Sequence, residues 1–198
     1  MIIALTVIKI KIMIKTNLFK THLIALLTLT LINCNSDDSL NNEYENYTGN
    51  YEIISYKSNV AVDLNNDNIT SLELTNEIDS FGSNDLEIKS NIISLFLPKT
   101  WITFQYPSSP EGSVEFIDYG FGTNYQYEDN SFLIETKSYV EKSYIDNIEN
   151  DKNVTLTSNL NVVDSNHLKM SISKEYYDFS TNEWIMLNIE IVFEKNNI

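Results

Sequence analysis

Apolar and polar residues alternate most regularly near the C-terminal end of the chain. In residues 187–194, Leu187, Ile189, Ile191 and Phe193 fall on one face, and Asn188, Glu190 and Glu194 on the other. A repeat of two is the signature of a strand with one buried side. Upstream, Leu168, Met170 and Ile172 alternate with Lys169, Ser171 and Ser173, and the turn-forming stretch DFSTNE lies between the two runs. Residues 166–177 and 184–195 are therefore expected to pair as an antiparallel hairpin. Similar patterning at 50–58, 85–90, 92–97, 101–106, 113–121, 131–140 and 152–163 brings the count to eight or nine short strands in nearly sequential order. Sequential strands with one buried face must close or stack to remove their edges. The expected fold is an all-β, antiparallel up-and-down β-barrel of about eight strands, with a β-sandwich as the alternative. One interval has a different period. Thr70 and Glu73 are spaced as a capping box, and Leu74, Ile78 and Phe81 share a helical face, which predicts one short helix near 71–79.

The first third of the chain has another pattern. Lys9, Lys11, Lys15 and Lys20 precede an apolar run over 23–32, with no acidic residue among them. Basic first and apolar second is the order of an export signal. Ten residues at 1.5 Å each fall well short of a hydrocarbon core of roughly 30 Å, so a permanent membrane span is the poorer reading. The text from Met13 already makes a complete signal, and translation is expected to start there. The run ends at Cys34, the only cysteine, which excludes an internal disulfide in an exported chain. Leu31-Ile32-Asn33-Cys34 resembles the lipobox of bacterial lipoproteins, in which the cysteine is lipidated and becomes the new N-terminus; Asn33 stands where that motif has a small residue. The acidic stretch that follows, Ser36-Asp37-Asp38, is similar to the signal that routes lipoproteins of the Bacteroidota to the outer leaflet. These likenesses imply a signal peptide at 1–33, a lipidated acidic tether at 34–47, a folded domain at 48–198, and a protein held on the outer membrane by lipid and facing outward.

Composition narrows the partners. Without residues 1–33 the chain keeps 9 Lys against 28 acidic residues, and it has no Arg. So negative a chain is repelled by nucleic-acid backbones and anionic membrane surfaces, and attracts cations. The many Tyr and Phe are expected mainly in core and cross-strand packing.

A family resemblance is carried by the two ends of the mature domain. YTGNYEIISYKSNVAVDLNNDNITSLELTNEID and the later EYYDFSTNEWIMLNIEIVFEK resemble lipocalin-like surface lipoproteins of Bacteroidota, whose first strand begins Gly-x-Trp and runs into an Asp-Leu-Asn-x-Asp loop. Tyr51 replaces that Trp. The resemblance implies a barrel whose interior binds a small apolar or amphipathic ligand. The alternative is a non-catalytic interaction module, an accessory subunit or adhesin meeting a surface protein partner.

The most specific local chemistry lies in DLNNDNITSLEL, residues 63–74. Asp63, Asn65 and Asp67 occupy positions 1, 3 and 5 of a loop, and Ile69 offers a carbonyl at position 7, the spacing that aims hard oxygen ligands at one calcium ion. Position 12 is Leu74 where an acid is needed, while Glu73 and Glu77 lie off register; the competing reading is an Asx-rich turn. Catalysis has little to draw on. His167 is the sole imidazole after the signal and is expected at a turn, no nucleophile motif accompanies it, and the glycines make no phosphate loop. The expectation is a protein that is not an enzyme. Tyr119-Gly120-Phe121-Gly122 is read as a strand twist or bulge, and Trp101 and Trp184 as core-packing residues first, with barrel-lining or rim aromatics as the alternative.

Overall fold

The computed structural model describes residues 43–103, 113–145 and 148–196. Their strands are β1 (Gly49–Val62), β2 (Ser71–Glu73), β3 (Leu86–Ile88), β4 (Ile92–Thr103), β5 (Ser113–Glu128), β6 (Ser131–Ile134), β7 (Ser138–Ile145), β8 (Ile148–Leu156), β9 (Leu160–Val162), β10 (His167–Asp178) and β11 (Glu183–Lys195). Eight of them, β1, β3, β4, β5, β6, β9, β10 and β11, follow one another in chain order around a closed ring, each antiparallel to the next. This is a closed eight-stranded antiparallel β-barrel, as the alternation predicts, and the closure rules out the sandwich.

Alternation is strictest in β10, where Leu168, Met170, Ile172, Lys174, Tyr176 and Asp178 all turn inward and are buried. Opposite them, Leu187, Ile189, Ile191 and Phe193 of β11 are also buried, so the hairpin contributes an apolar wall interrupted by Lys174 and ended by Asp178. β5 and β6 turn through Asp129 and Asn130, both at positive φ, the conformation a two-residue hairpin turn demands and these residue types tolerate. β1 is long because a bulge lets it follow several partners. Its register against β11 slips between Ile53 and Ser55. The Ile53 N–H donates to Asp85 Oδ2 at 2.8 Å, and the Tyr56 N–H donates to Glu73 Oε1 at 2.6 Å.

That second bond explains why the expected helix at 71–79 does not form. Glu73 reaches across to β1 and caps nothing of its own segment, which becomes the short strand β2 and a single 3-10 turn, Leu74–Asn76. Leu74 and Ile78 still reach the core, and Phe81 packs against it. Other boundaries also shift. The expected strands 92–97 and 101–106 are joined through Pro98 into β4, and residues 104–106 of the second lie outside the described residues. The expected strands 131–140 and 152–163 each divide, into β6 and β7 and into β8 and β9. Glu43–Tyr47, expected in the tether, form a 3-10 turn whose Tyr44 and Tyr47 pack on Tyr125, Tyr127 and Phe132.

Division of those two strands produces the feature that shapes the interior. The β7–β8 hairpin leaves the ring path, pairs antiparallel with β10 through β8 at 154–156, and pairs parallel with β4 through β7 at 144–145. Tyr139 stacks on Tyr119 and Phe121 of β5, while Glu141 and Ser143 point inward with no exposure. Within β5 the Tyr119–Gly122 stretch keeps regular register with β4, so it is not a bulge. A Cβ on Gly120 would come within 2.8 Å of the Phe96 ring, which accounts for the glycine by close approach.

Candidate functional site

Two groups of polar side chains stand out among the described residues: an acidic loop at one end of β1, and a charged pair in the interior.

The loop is folded by its own carboxylates. Asp63 Oδ1 accepts the N–H of Asn66 at 2.7 Å and of Asp67 at 3.2 Å, and Oδ2 accepts that of Asn68 at 3.0 Å. Asn66 and Asn68 have φ of 63° and 67°, and asparagine bears this left-handed backbone more readily than most residues. Asn65 Oδ1 is engaged by the Asp67 N–H, and Asp67 Oδ1 accepts from the Ile69 N–H. All four residues thus take part in the turn, and the carboxylates of Asp63 and Asp67 also converge. The third member is Glu77, delivered by the 3-10 turn. Its Oε2 accepts the Leu64 N–H at 3.0 Å, and one oxygen from each of Asp63, Asp67 and Glu77 lies within 4.8 Å of the others. Asp63 and Glu77 are buried and Asp67 is exposed. Burial, with the neighbouring charges of Asp67 and Asp63, pushes the Glu77 carboxyl above its ordinary range. Three carboxylates crowded this way suit a hard divalent cation. The acid missing at position 12 of the loop comes from position 15, which no spacing rule for a local loop would have found. A cleft of about 180 Å³ over Asn65, Glu77, Val114 and Phe116 opens beside it.

The second group is Lys174 of β10 and Glu141 of β7. Both have no exposure, and Lys174 Nζ contacts Glu141 Oε1 directly. Tyr176 lies alongside, with its ring 5.0 Å from Nζ and its hydroxyl donating to the Pro98 carbonyl at 2.6 Å; Tyr56 meets that hydroxyl at 3.1 Å. Burial pushes the Glu141 carboxyl up against the opposing pull of Lys174. Burial likewise pushes the Lys174 ammonium down against the pull of Glu141. Around them the buried oxygens Glu141 Oε2, Tyr139 OH, Ser143 Oγ and Thr100 Oγ1 have no hydrogen-bond partner. Continuing the repeat of two past Ile172 would have put Lys174 on the inward face. The expected strand 131–140 ended one residue short of Glu141.

The remaining candidates lie at the surface. His167 opens β10, where Nδ1 is 2.9 Å from the Asp164 carboxylate and Nε2 is 3.7 Å from Glu194, a turn-holding arrangement. Trp101 packs on Tyr144 in a tilted arrangement at the β4–β7 seam, with Lys99 Nζ 5.8 Å from its ring; Trp184 packs on Tyr177 at the end of the β10–β11 hairpin, with Lys152 Nζ 4.0 Å away. Both are rim residues. The expected signal at 1–33, Cys34 and the expected tether up to residue 42 lie outside the described residues.

The fold and these groups define the class: a closed antiparallel barrel with an acidic loop at one end of β1 and a charged pair inside. Comparison with protein-family models, with curated proteins and with solved structures finds no match.

Proposed function

We propose that the protein is a lipid-anchored outer-membrane lipoprotein whose barrel works as a non-catalytic interaction module at the cell surface. The anchor reading rests on Cys34 at the end of the apolar run and on the acidic stretch behind it. The choice of module over ligand carrier rests on one observation, the occupancy of the interior. The largest fully buried side chains are Tyr51, Tyr56, Tyr176, Phe132, Lys174 and Phe193. The β7–β8 hairpin adds Glu141 and Ser143 to the same space. Eight-stranded barrels either fill with side chains or hold one small ligand, and this pattern belongs to the filled kind. Recognition then falls to the outer surface, where a shallow cleft of about 350 Å³ spans Lys57, Asn59, Ser171, Asn188 and Glu190, and where the two tryptophan clusters present aromatic area.

Within this reading the acidic loop binds calcium weakly and staples the end of β1 to the 3-10 turn. Cell fractionation of the Cys34→Ala variant tests the anchor, with release from membranes expected; a variant that still sediments with them overturns it. Proteolytic shaving of intact cells tests the outward orientation, since only a surface-displayed protein is digested.

A further inference from the structure

We propose that the Lys174 side chain and the Glu141 side chain are joined by an intramolecular isopeptide bond, formed by the folded protein without an enzyme. Four observations carry this. The two groups touch although they lie 33 positions apart on different strands. Neither has any solvent exposure. One carboxyl oxygen, Oε2, has no hydrogen-bond partner, which is unusual for a buried carboxylate kept as an ion. The hydroxyls of Tyr139 and Ser143 flank Glu141 on the same face of β7, and Thr100 and Ser143 each stand one position before the first β4–β7 register pair, Trp101 and Tyr144; all three hydroxyls lack partners and are able to hydrogen-bond a developing oxyanion or relay a proton.

The chemistry balances without any co-reactant. The free amine of Lys174 attacks Glu141 Cδ, and an Nζ–Cδ bond forms. The bond from Cδ to the hydroxyl oxygen of the carboxylic acid breaks, and that hydroxyl leaves with one amine proton as water. Nζ keeps its other hydrogen, and nothing is oxidised or reduced. Ordinarily an ammonium and a carboxylate do not condense, because both are charged and water opposes the product. Here burial favours the amine and the acid, the two forms the attack requires. Holding both groups in contact supplies effective molarities on the order of 10⁵ M or more. The product also removes the cost of burying two ions, since a neutral amide takes their place. Its position suits a staple: β8 meets β10 over three register pairs and β7 meets β4 over two, so the hairpin is held to the ring by few backbone bonds.

The test is peptide mapping of the full chain, expressed in a host unrelated to its source, digested with trypsin and read by tandem mass spectrometry. The linked protein yields Ser138–Lys142 (SYVEK) joined to a second peptide that runs uncut through Lys174 to Lys195, one water lighter than the two together. Recovery of SYVEK and MSISK as separate peptides, with no joined species, overturns the proposal. The Lys174→Met variant, which fills the same space without an amine, should lack the joined peptide; if Glu141 is still cross-linked through another lysine there, the assignment is wrong. Wild-type mapping decides the question even where that variant does not fold.

Discussion

Replacing Glu77 by Gln separates the two roles of the acidic loop, because the amide carbonyl still accepts the Leu64 N–H while the charge is lost. Without a cation, Glu77 faces Asp63 and Asp67 at short range, and its carboxyl is raised by burial first and by their charges after. The sign follows from linkage. A group whose folded pKa is raised contributes its stability below the unfolded pKa, and that contribution is lost as pH rises through the folded pKa. At neutral pH in chelator the ionised Glu77 is therefore a burden, and Glu77→Gln should be more stable than wild type, the difference vanishing in acid. Calcium reverses the order. With a dissociation constant of roughly 10⁻⁴ to 10⁻³ M, the weak extracellular range, about 5 mM calcium stabilises wild type by about 1 to 2 kcal/mol. In a domain of this size that raises the thermal midpoint by roughly 2–8 °C. Thermal melts of both proteins, in chelator and in calcium at matched ionic strength, read all four states. The expected result is a calcium shift in wild type and little or none in the variant. An equal shift in both would mean that calcium only screens the excess of 28 acidic residues over 9 Lys after residue 33, leaving the loop an Asx turn.

Three further outcomes follow from the packing. Phe132→Ala removes a fully buried ring that touches Tyr47, Tyr125 and Tyr127, and should cost about 3–5 kcal/mol in denaturant unfolding; a loss under 1 kcal/mol would mean that this end of the barrel is not closed. Gly49→Ala places a side chain at φ 136° and against Lys195, and should cost about 1–3 kcal/mol in the same assay, with no change as the contrary result. Asp85, raised by burial although the Ile53 and Gly82 N–H groups pull it down, should make wild-type stability fall as pH rises above the ordinary carboxylate range; Asp85→Asn should flatten that part of the profile, and an unchanged slope would assign it to other groups.

How far the fold was legible depended on whether a segment's partner was local. The β10–β11 wall could be read directly, since both strands alternate without interruption and a turn-rich stretch joins them. The split of β6 from β7 could not, because the break at 135–137 contains no Gly or Pro, only Glu135, Thr136 and Lys137, whose polarity also fits an exposed strand edge. Thr70 and Glu73 have the right spacing for a capping box, but Glu73 gains more by satisfying the Tyr56 N–H at the β1 bulge, a partner 17 positions away. Glu77 joins Asp63 for a comparable reason, since the chain doubles back between them. Of the candidate loop ligands, the carboxylates of Asp63 and Asp67 converge with that of Glu77. Lys174 sat in plain view on an apolar face; its meaning depended on Glu141, and only the path of β7 brings the two together.

In the proposed function the barrel interior is occupied by its own side chains and binding takes place outside. Native mass spectrometry of the protein purified from its own host membranes, released by detergent, tests this most directly. The expected spectrum shows a single species whose mass is that of the lipidated chain, allowing for the loss of one water, with no small molecule retained after gentle desolvation. A stoichiometric apolar or amphipathic adduct, displaced by added fatty acid and lost in a variant with a bulkier inward residue such as Ser143→Phe, would place the ligand inside the ring and overturn the filled interior.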